Sequence, residues 1–127
     1  MTHPTLTALN CYTLNSTDEA FIAATSALAA RVEVEGHPGV LSYRFFVNVA
    51  EGTGRAVIDY ANAAAWIGHH EIAMGWPEMK ALHAAATLSE VTFLGEVAQE
   101  IRDWLGASAL KARIHEGNIL AARFSRD

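Results

Sequence analysis

The chain of 127 residues is poor in charge, cysteine and proline, and each shortage excludes something. Charged residues make up 18% of it, against a usual fraction of about 25%. With 51% hydrophobic residues beside that deficit, the chain is neither disordered nor charge-driven, and part of its apolar surface is expected to meet another subunit. A single cysteine, Cys11, cannot form an internal disulfide, so the fold does not depend on oxidation; it is read as a buried, inert thiol within a strand. Nine Lys and Arg against fourteen Asp and Glu give a formal charge of -5 with no basic cluster, which argues against nucleic acid as a partner. No apolar run approaches the ~20 residues needed to span a bilayer, and Met1 to Thr5 show no secretory signal. The expectation is a cytoplasmic protein with no membrane partner.

What is present is a strong alternation of apolar patterns. Residues 5–14 read as a strand with Leu6, Ala8 and Tyr12 on one face and Leu9 and Cys11 on the other. Ser16 and Glu19 have capping-box spacing, and a helix to about Glu35 carries a stripe of Phe21, Thr25, Leu28 and Val32, widened by Ile22 and Ala29. Pro38-Gly39 fits a type II turn with Gly39 at positive φ. Residues 40–49 form the clearest strand, apolar on both faces: Leu41, Tyr43, Phe45, Val47 and Val49 on one, Val40, Ser42, Arg44, Phe46 and Asn48 on the other. A hairpin loop at 51–54 leads into a returning strand at 55–61.

Asn62 is placed to cap a helix over 63–74, with Trp66, His69 or His70, and Ala73 inward and Gly75 as its left-handed stop. Pro77 suits the first position of a short helix over 77–86, and residues 88–97 read as a fourth strand. The order β-α-β-β-α-β is the ferredoxin-like arrangement, an α+β fold with an antiparallel sheet. Residues 98–127 fall outside that core of residues 1–97. They read as a short helix burying Ile101, Trp104 and Leu105 and stopped by Gly106, an ambiguous stretch, and a fifth strand within 118–124. This tail is basic by one charge beside an acidic core, and it either packs on its own subunit or exchanges across a dimer.

Three stretches carry a resemblance. His37-Pro38-Gly39-Val40-Leu41-Ser42-Tyr43 resembles a "PG-x-L-x-Y" turn into the second strand. Tyr60-Ala61-Asn62 with Ala65-Trp66 and His69 resembles an aromatic strand end, helix cap and helix histidine, and Leu88-Ser89-Glu90-Val91-Thr92-Phe93 resembles a final core strand. Together they are similar to the dimeric α+β barrel superfamily, in its antibiotic biosynthesis monooxygenase-like branch. The resemblance departs at Ile58, where the branch often has a carboxylate and this chain has Asp59 one position on. It implies a homodimer, and its members range from cofactor-free oxygenases and heme-degrading enzymes to proteins without a known reaction.

The residues able to carry chemistry are few. His69 and His70 are neighbours on a helix, about 100° apart, so they cannot share a metal from one face, and Met74 stands where a zinc-protease motif needs its second histidine. Gly52-Thr53-Gly54 leads into a strand rather than a helix and is no dinucleotide fingerprint. No metal site is expected. A cavity between sheet and helices suits the composition better: His69 or His70 as base, Tyr43, Tyr60, Trp66 and Trp76 as aromatic walls or cap, and Arg44 and Asn48 as oxyanion donors. Arg44 could instead pair with Asp59 across the hairpin. The expectation is an oxidoreductase, a cofactor-free monooxygenase of an aromatic or quinol-like substrate; the alternative is a non-catalytic dimeric protein that binds a small apolar ligand or serves in stress. Heme binding through His83 is not expected, nor is any other bound cofactor.

Overall fold

Alternation of apolar and polar residues builds a sheet in the order β2-β3-β1-β4-β5 in the computed structural model, which describes residues 3–126. Strands β1 (Leu6–Leu14), β2 (Val40–Asn48), β3 (Thr53–Tyr60) and β4 (Ala86–Leu94) pair antiparallel, the ferredoxin-like order. The expectation of a wholly antiparallel sheet needs correction, because β5 (Arg113–Asn118) adds to the edge of β4 in parallel. Among the described residues, no helix is long and apolar enough to cross a membrane.

One face of the sheet is the floor of the core. Leu6, Ala8 and Tyr12 of β1, Ala56, Ile58 and Tyr60 of β3, and Val91 and Phe93 of β4 are all buried there, as a period of two requires. The first helix, α1 (Asp18–Glu35), packs Phe21, Ala24, Thr25, Leu28 and Val32 against it. Ala24 rather than Ile22 completes that stripe; Ile22 is 45% exposed because it lies one position round from Phe21. Thr17, not Ser16, caps the helix, its hydroxyl accepting from the Ala20 N–H at 3.1 Å. The Thr25 hydroxyl is satisfied by donating to the Phe21 carbonyl at 2.8 Å.

Two glycines are fixed by space rather than by dihedral freedom. Gly39 sits in the turn closed by the Val40 N–H on the His37 carbonyl at 3.0 Å, yet its φ is not positive, so the turn is not the expected type II. A Cβ there would lie 2.4 Å from that of Ala65, so glycine lets the turn meet α2 (Ala63–Ala73). Gly54 lies under the Phe21 ring, 2.4 Å from where its Cβ would stand.

Asn62 caps α2, accepting from Ala65 N–H at 2.9 Å, and Pro77 opens α3 (Pro77–Ala85). Gly75 does not adopt the left-handed conformation expected of it: the turn runs on with Trp76 N–H on the Ala73 carbonyl at 3.0 Å. Strand β4 starts two residues before expectation and ends at Leu94, followed by Gly95, whose φ of 114° glycine tolerates. Helix α4 (Gln99–Ala107) buries Ile101 completely and half-buries Trp104 and Leu105, and Gly106 lies inside it rather than stopping it. The fifth strand comes earlier than residues 118–124; residues 119–126 have no regular structure and expose Ile119, Leu120 and Phe124.

Candidate functional site

Between the sheet floor and helices α2, α3 and α4 lies a cavity of about 680 Å³. Ala8, Asn10, Tyr12, Tyr43, Ile58 and Tyr60 form its floor, and Trp66, His69 and His70 of α2 form one wall. Met79, Leu82 and His83 of α3 form another. The remaining side comes from Trp104 and Leu105 of α4 and the following residues 108–111. The walls are mainly apolar and aromatic with a few polar groups, the make-up of a small-molecule site.

Both candidate histidines line this cavity, in different states. His69 is 2% exposed, its ring centroid 5.2 Å from Tyr43 and 6.0 Å from Tyr60, and its Nδ1 has no hydrogen-bond partner. His70 is half-buried between Trp66, 4.0 Å away, and Trp104, 5.2 Å away, and its Nδ1 lies 2.7 Å from the Trp66 carbonyl oxygen. Burial pushes the His69 imidazole down to about 3, helped by His70 and His37. Burial likewise lowers His70 to about 4, partly opposed by its bond to Trp66. Both rings are therefore neutral at neutral pH.

The tyrosines are held in their neutral, donating form. Desolvation raises Tyr12 to about 12, against the lowering contact with Asn10, whose amide donates to the Tyr12 hydroxyl at 3.2 Å. Tyr43 and Tyr60 are raised by burial first and by their tyrosine neighbours second. A phenol that stays protonated can donate to an oxyanion, the part assigned from sequence to Arg44 and Asn48.

Of the residues named from sequence, the fold brings Tyr43, Tyr60, Trp66, His69 and His70 into one cavity. It does not bring Arg44, Asn48 or Trp76 there. Arg44 alternates with Tyr43 and so projects from the opposite face of the sheet. A bulge between Val40 and Ser42 sets Arg44 opposite Val57, while Asp59 accepts from the Thr7 hydroxyl at 2.6 Å. Asn48 shares that outer face and serves the hairpin: its amide donates to Glu51 at 2.9 Å, and its carbonyl oxygen accepts from the Glu51 N–H at 3.1 Å. Trp76 lies under the Arg31 guanidinium, 4.2 Å from ring centroid, where Arg31 also bonds Glu78 at 2.9 Å and ties α1 to α3.

Cys11 also belongs to the outer face, half-buried, with the Arg55 guanidinium donating to its sulfur at 3.5 Å. Asn10, Tyr12, Trp104 and Lys111 were not singled out for the site. Asn10 could have been found, because a polar residue inside the inward series Leu6-Ala8-Asn10-Tyr12 needs a reason to face a core. Trp104 and Lys111 had no such signal, since their placement depends on where α4 docks. Among the described residues, no group of three His, Cys, Asp or Glu is placed to hold a metal.

No protein-family model matches the chain, and no curated protein does. Solved structures do. MupZ from Pseudomonas fluorescens matches at 22% identity over 98% of this chain and 91% of its own, with a TM-score of 0.65. SnoaB, a cofactor-independent oxygenase from Streptomyces nogalater, matches at 15% identity over 73% of this chain and 93% of its own, with a TM-score of 0.56. A candidate antibiotic biosynthesis monooxygenase from Caulobacter crescentus matches at 20% identity over 76% and 93%, with a TM-score of 0.57. At these identities the likeness is one of fold: the chain shares the α+β fold of these solved structures.

Proposed function

We propose that the cavity is the active site of a small oxygenase that acts without a bound cofactor on an aromatic or quinol-like substrate, with His70 as its base. The observation that carries this reading is the 2.7 Å contact between His70 Nδ1 and the Trp66 carbonyl. A carbonyl only accepts, so Nδ1 keeps the proton and Nε2 keeps the lone pair on a ring that lines the cavity. His69 is less suited, because its Nδ1 is shut away from any partner.

The chemistry needs no outside reductant. Nε2 of His70 takes a proton from an activated CH₂ or hydroxyl, and the electron-rich carbanion or enolate adds dioxygen at carbon. Loss of the second C–H proton with cleavage of the O–O bond leaves a carbonyl and water, so that CH₂ plus O₂ becomes C=O plus H₂O. The substrate supplies all four electrons. Tyr43 and Tyr60 are the available donors to the developing oxyanion. Magnitudes limit the substrate. Taking a proton from an ordinary phenol, pKa about 10, with a base near 4 costs roughly 8 kcal/mol. That cost favours a substrate whose proton is made more acidic by a conjugated carbonyl. SnoaB is a cofactor-independent oxygenase of the same fold at 15% identity, which is in keeping with the reading.

The test is oxygen uptake by purified protein over a panel of anthrones and hydroquinones. Uptake lost in His70→Ala supports the reading, and uptake that survives it refutes His70 as base. The depressed basicity of both histidines also favours a second reading, a binder of apolar aromatic ligands without turnover. Ligand-induced thermal stabilisation with no oxygen consumption identifies that case.

The same reading includes a homodimer. The outer sheet face presents Leu9, Val57, Phe46 and Leu94, with Phe46 52% and Leu94 41% exposed, and a two-fold partner presenting the same face would cover them. Residues 119–126, with Ile119, Leu120 and Phe124 exposed, would be the segment to reach across to that partner.

A further inference from the structure

We infer that the cavity selects a ligand that is apolar and aromatic along its body and carries a single carboxylate at one end, with Lys111 at the rim as its counter-charge. The inference rests on the cavity being the functional site, and it adds what that site discriminates.

The chain carries fourteen acidic and nine basic residues, yet among the described residues no Asp or Glu lines the cavity and Lys111 is the one Lys or Arg that does. Among the described residues Lys111 forms no ion pair, whereas Arg31, Arg102 and Arg113 all do. The three lining histidines, His69, His70 and His83, are all held toward neutrality by burial. The local charge of a site in an acidic protein is therefore positive, and it comes from one side chain.

Position gives the ligand its polarity. Lys111 is exposed, as are His83, Met74 and Leu110, so these residues form the rim. Tyr60, Trp66 and His69 are buried and form the inner end. A ligand seated with its rings among the inner aromatics projects its other end toward the ammonium. Burying a carboxylate deeper would cost its full desolvation with no cation to offset it, so the anionic end belongs outside. A lone ammonium is a point charge that suits a monoanion; phosphate more often recruits the bidentate fork of arginine, which is missing from the lining.

The segment that supplies Lys111 also completes the wall. Residues 108–111 follow α4, where the Ser108 hydroxyl donates to the Leu105 carbonyl at 2.8 Å and accepts from the Leu110 N–H at 3.3 Å. Those two bonds hold the backbone just before the lysine, so its side chain starts from the rim.

The test compares two fluorescent probes of equal ring system, anthracene-9-carboxylate and 9-anthracenemethanol, titrated into the full chain. The carboxylate is expected to bind tighter, by about threefold to tenfold at low salt, and to lose that margin in Lys111→Gln while the alcohol is unaffected. Lys80, the only other lysine, is exposed on α3 outside the lining, and Lys80→Gln removes the same charge without the effect. Equal binding of the two probes, or equal loss in Lys80→Gln, overturns the charge selection and leaves the cavity reading standing. Failure of both probes to bind overturns both.

Discussion

The Nδ1 of His70 sits 2.7 Å from the carbonyl oxygen of Trp66 one turn earlier in α2, and the two rings lie 4.0 Å apart. One backbone acceptor thus settles the tautomer, and one indole settles the ring plane. A base held this way loses little conformational freedom on meeting substrate. Trp104, 5.2 Å from the same imidazole and tilted 59° to it, comes from the C-terminal part of the chain and makes α4 part of the histidine's housing.

Replacing each histidine separates the roles. His70→Ala is expected to lower oxygen uptake by about 10²-fold or more, the usual worth of a general base. His69→Leu removes a buried Nδ1 without a partner, so it is expected to leave the melting temperature unchanged or raise it. A large loss of thermal stability in His69→Leu would show that its ring makes a polar contact in solution.

The pH profile of uptake should follow the lowered basicity of His70. The rising limb is expected near pH 4 rather than 6.5, because only the neutral ring accepts a proton. Tyr43 and Tyr60 are raised above their ordinary value, so no falling limb from them is expected below pH 10. A rising limb at pH 6 to 7 would place a different residue in the role.

Stability carries the same signature. His69 and His70 bind protons more weakly folded than unfolded, so between about pH 6.5 and 4 the unfolded chain holds more protons. Stability is therefore full above pH 6.5 and falls as the pH drops toward 4 and 3, by an amount on the order of a few kcal/mol. Urea midpoints measured at pH 7.5 and 5 check the sign. A higher midpoint at pH 5 would contradict it.

Gly54→Ala tests a close approach in the core. The new Cβ would stand 2.4 Å from the Phe21 ring, which is itself packed against Tyr12 and Phe45 at 5.9 and 6.3 Å. Overpacking of this kind costs about 1–3 kcal/mol, visible as a lowered urea midpoint. Gly52→Ala, with open space around its Cβ but a φ of 65°, should instead cost about 1 kcal/mol for the backbone alone.

Light scattering is expected to give roughly twice 13.7 kDa at micromolar protein. Phe46→Asp, on the exposed outer face, should shift the mass toward one chain, and removal of residues 119–127 should weaken association. A monomer in the unaltered chain would refute the barrel arrangement.

Local order is written plainly in the sequence. Asn62 and Pro77 sit where α2 and α3 begin, and alternation groups Leu6, Ala8 and Tyr12, and Ala56, Ile58 and Tyr60, each on one face of its strand, which packing makes the inner one. Such signals are legible because a cap, a fixed proline φ and a period of two are properties of a few adjacent residues. Gly39 and Gly54 are the instructive exceptions: both are required by a side chain far along the chain, and neither adopts positive φ.

The composition of the site was legible only where one strand or one helix supplied it. Tyr60, Trp66 and the pair His69 or His70 follow from the pattern, but Arg44 was set beside Tyr43 although adjacent strand residues face opposite ways. The choice between His69 and His70 needed the cavity, because α2 is covered on more than one side: by the sheet at His69 and by Trp104 of α4 at His70. The order of the elements through β4 follows from the chain alone, since caps, turns and periodicity are set by neighbouring residues. Only the tertiary structure decided that β5 runs parallel to β4, that α4 closes the cavity, and that Lys111 stands at its rim, because each is a contact between segments whose relative position no local periodicity encodes.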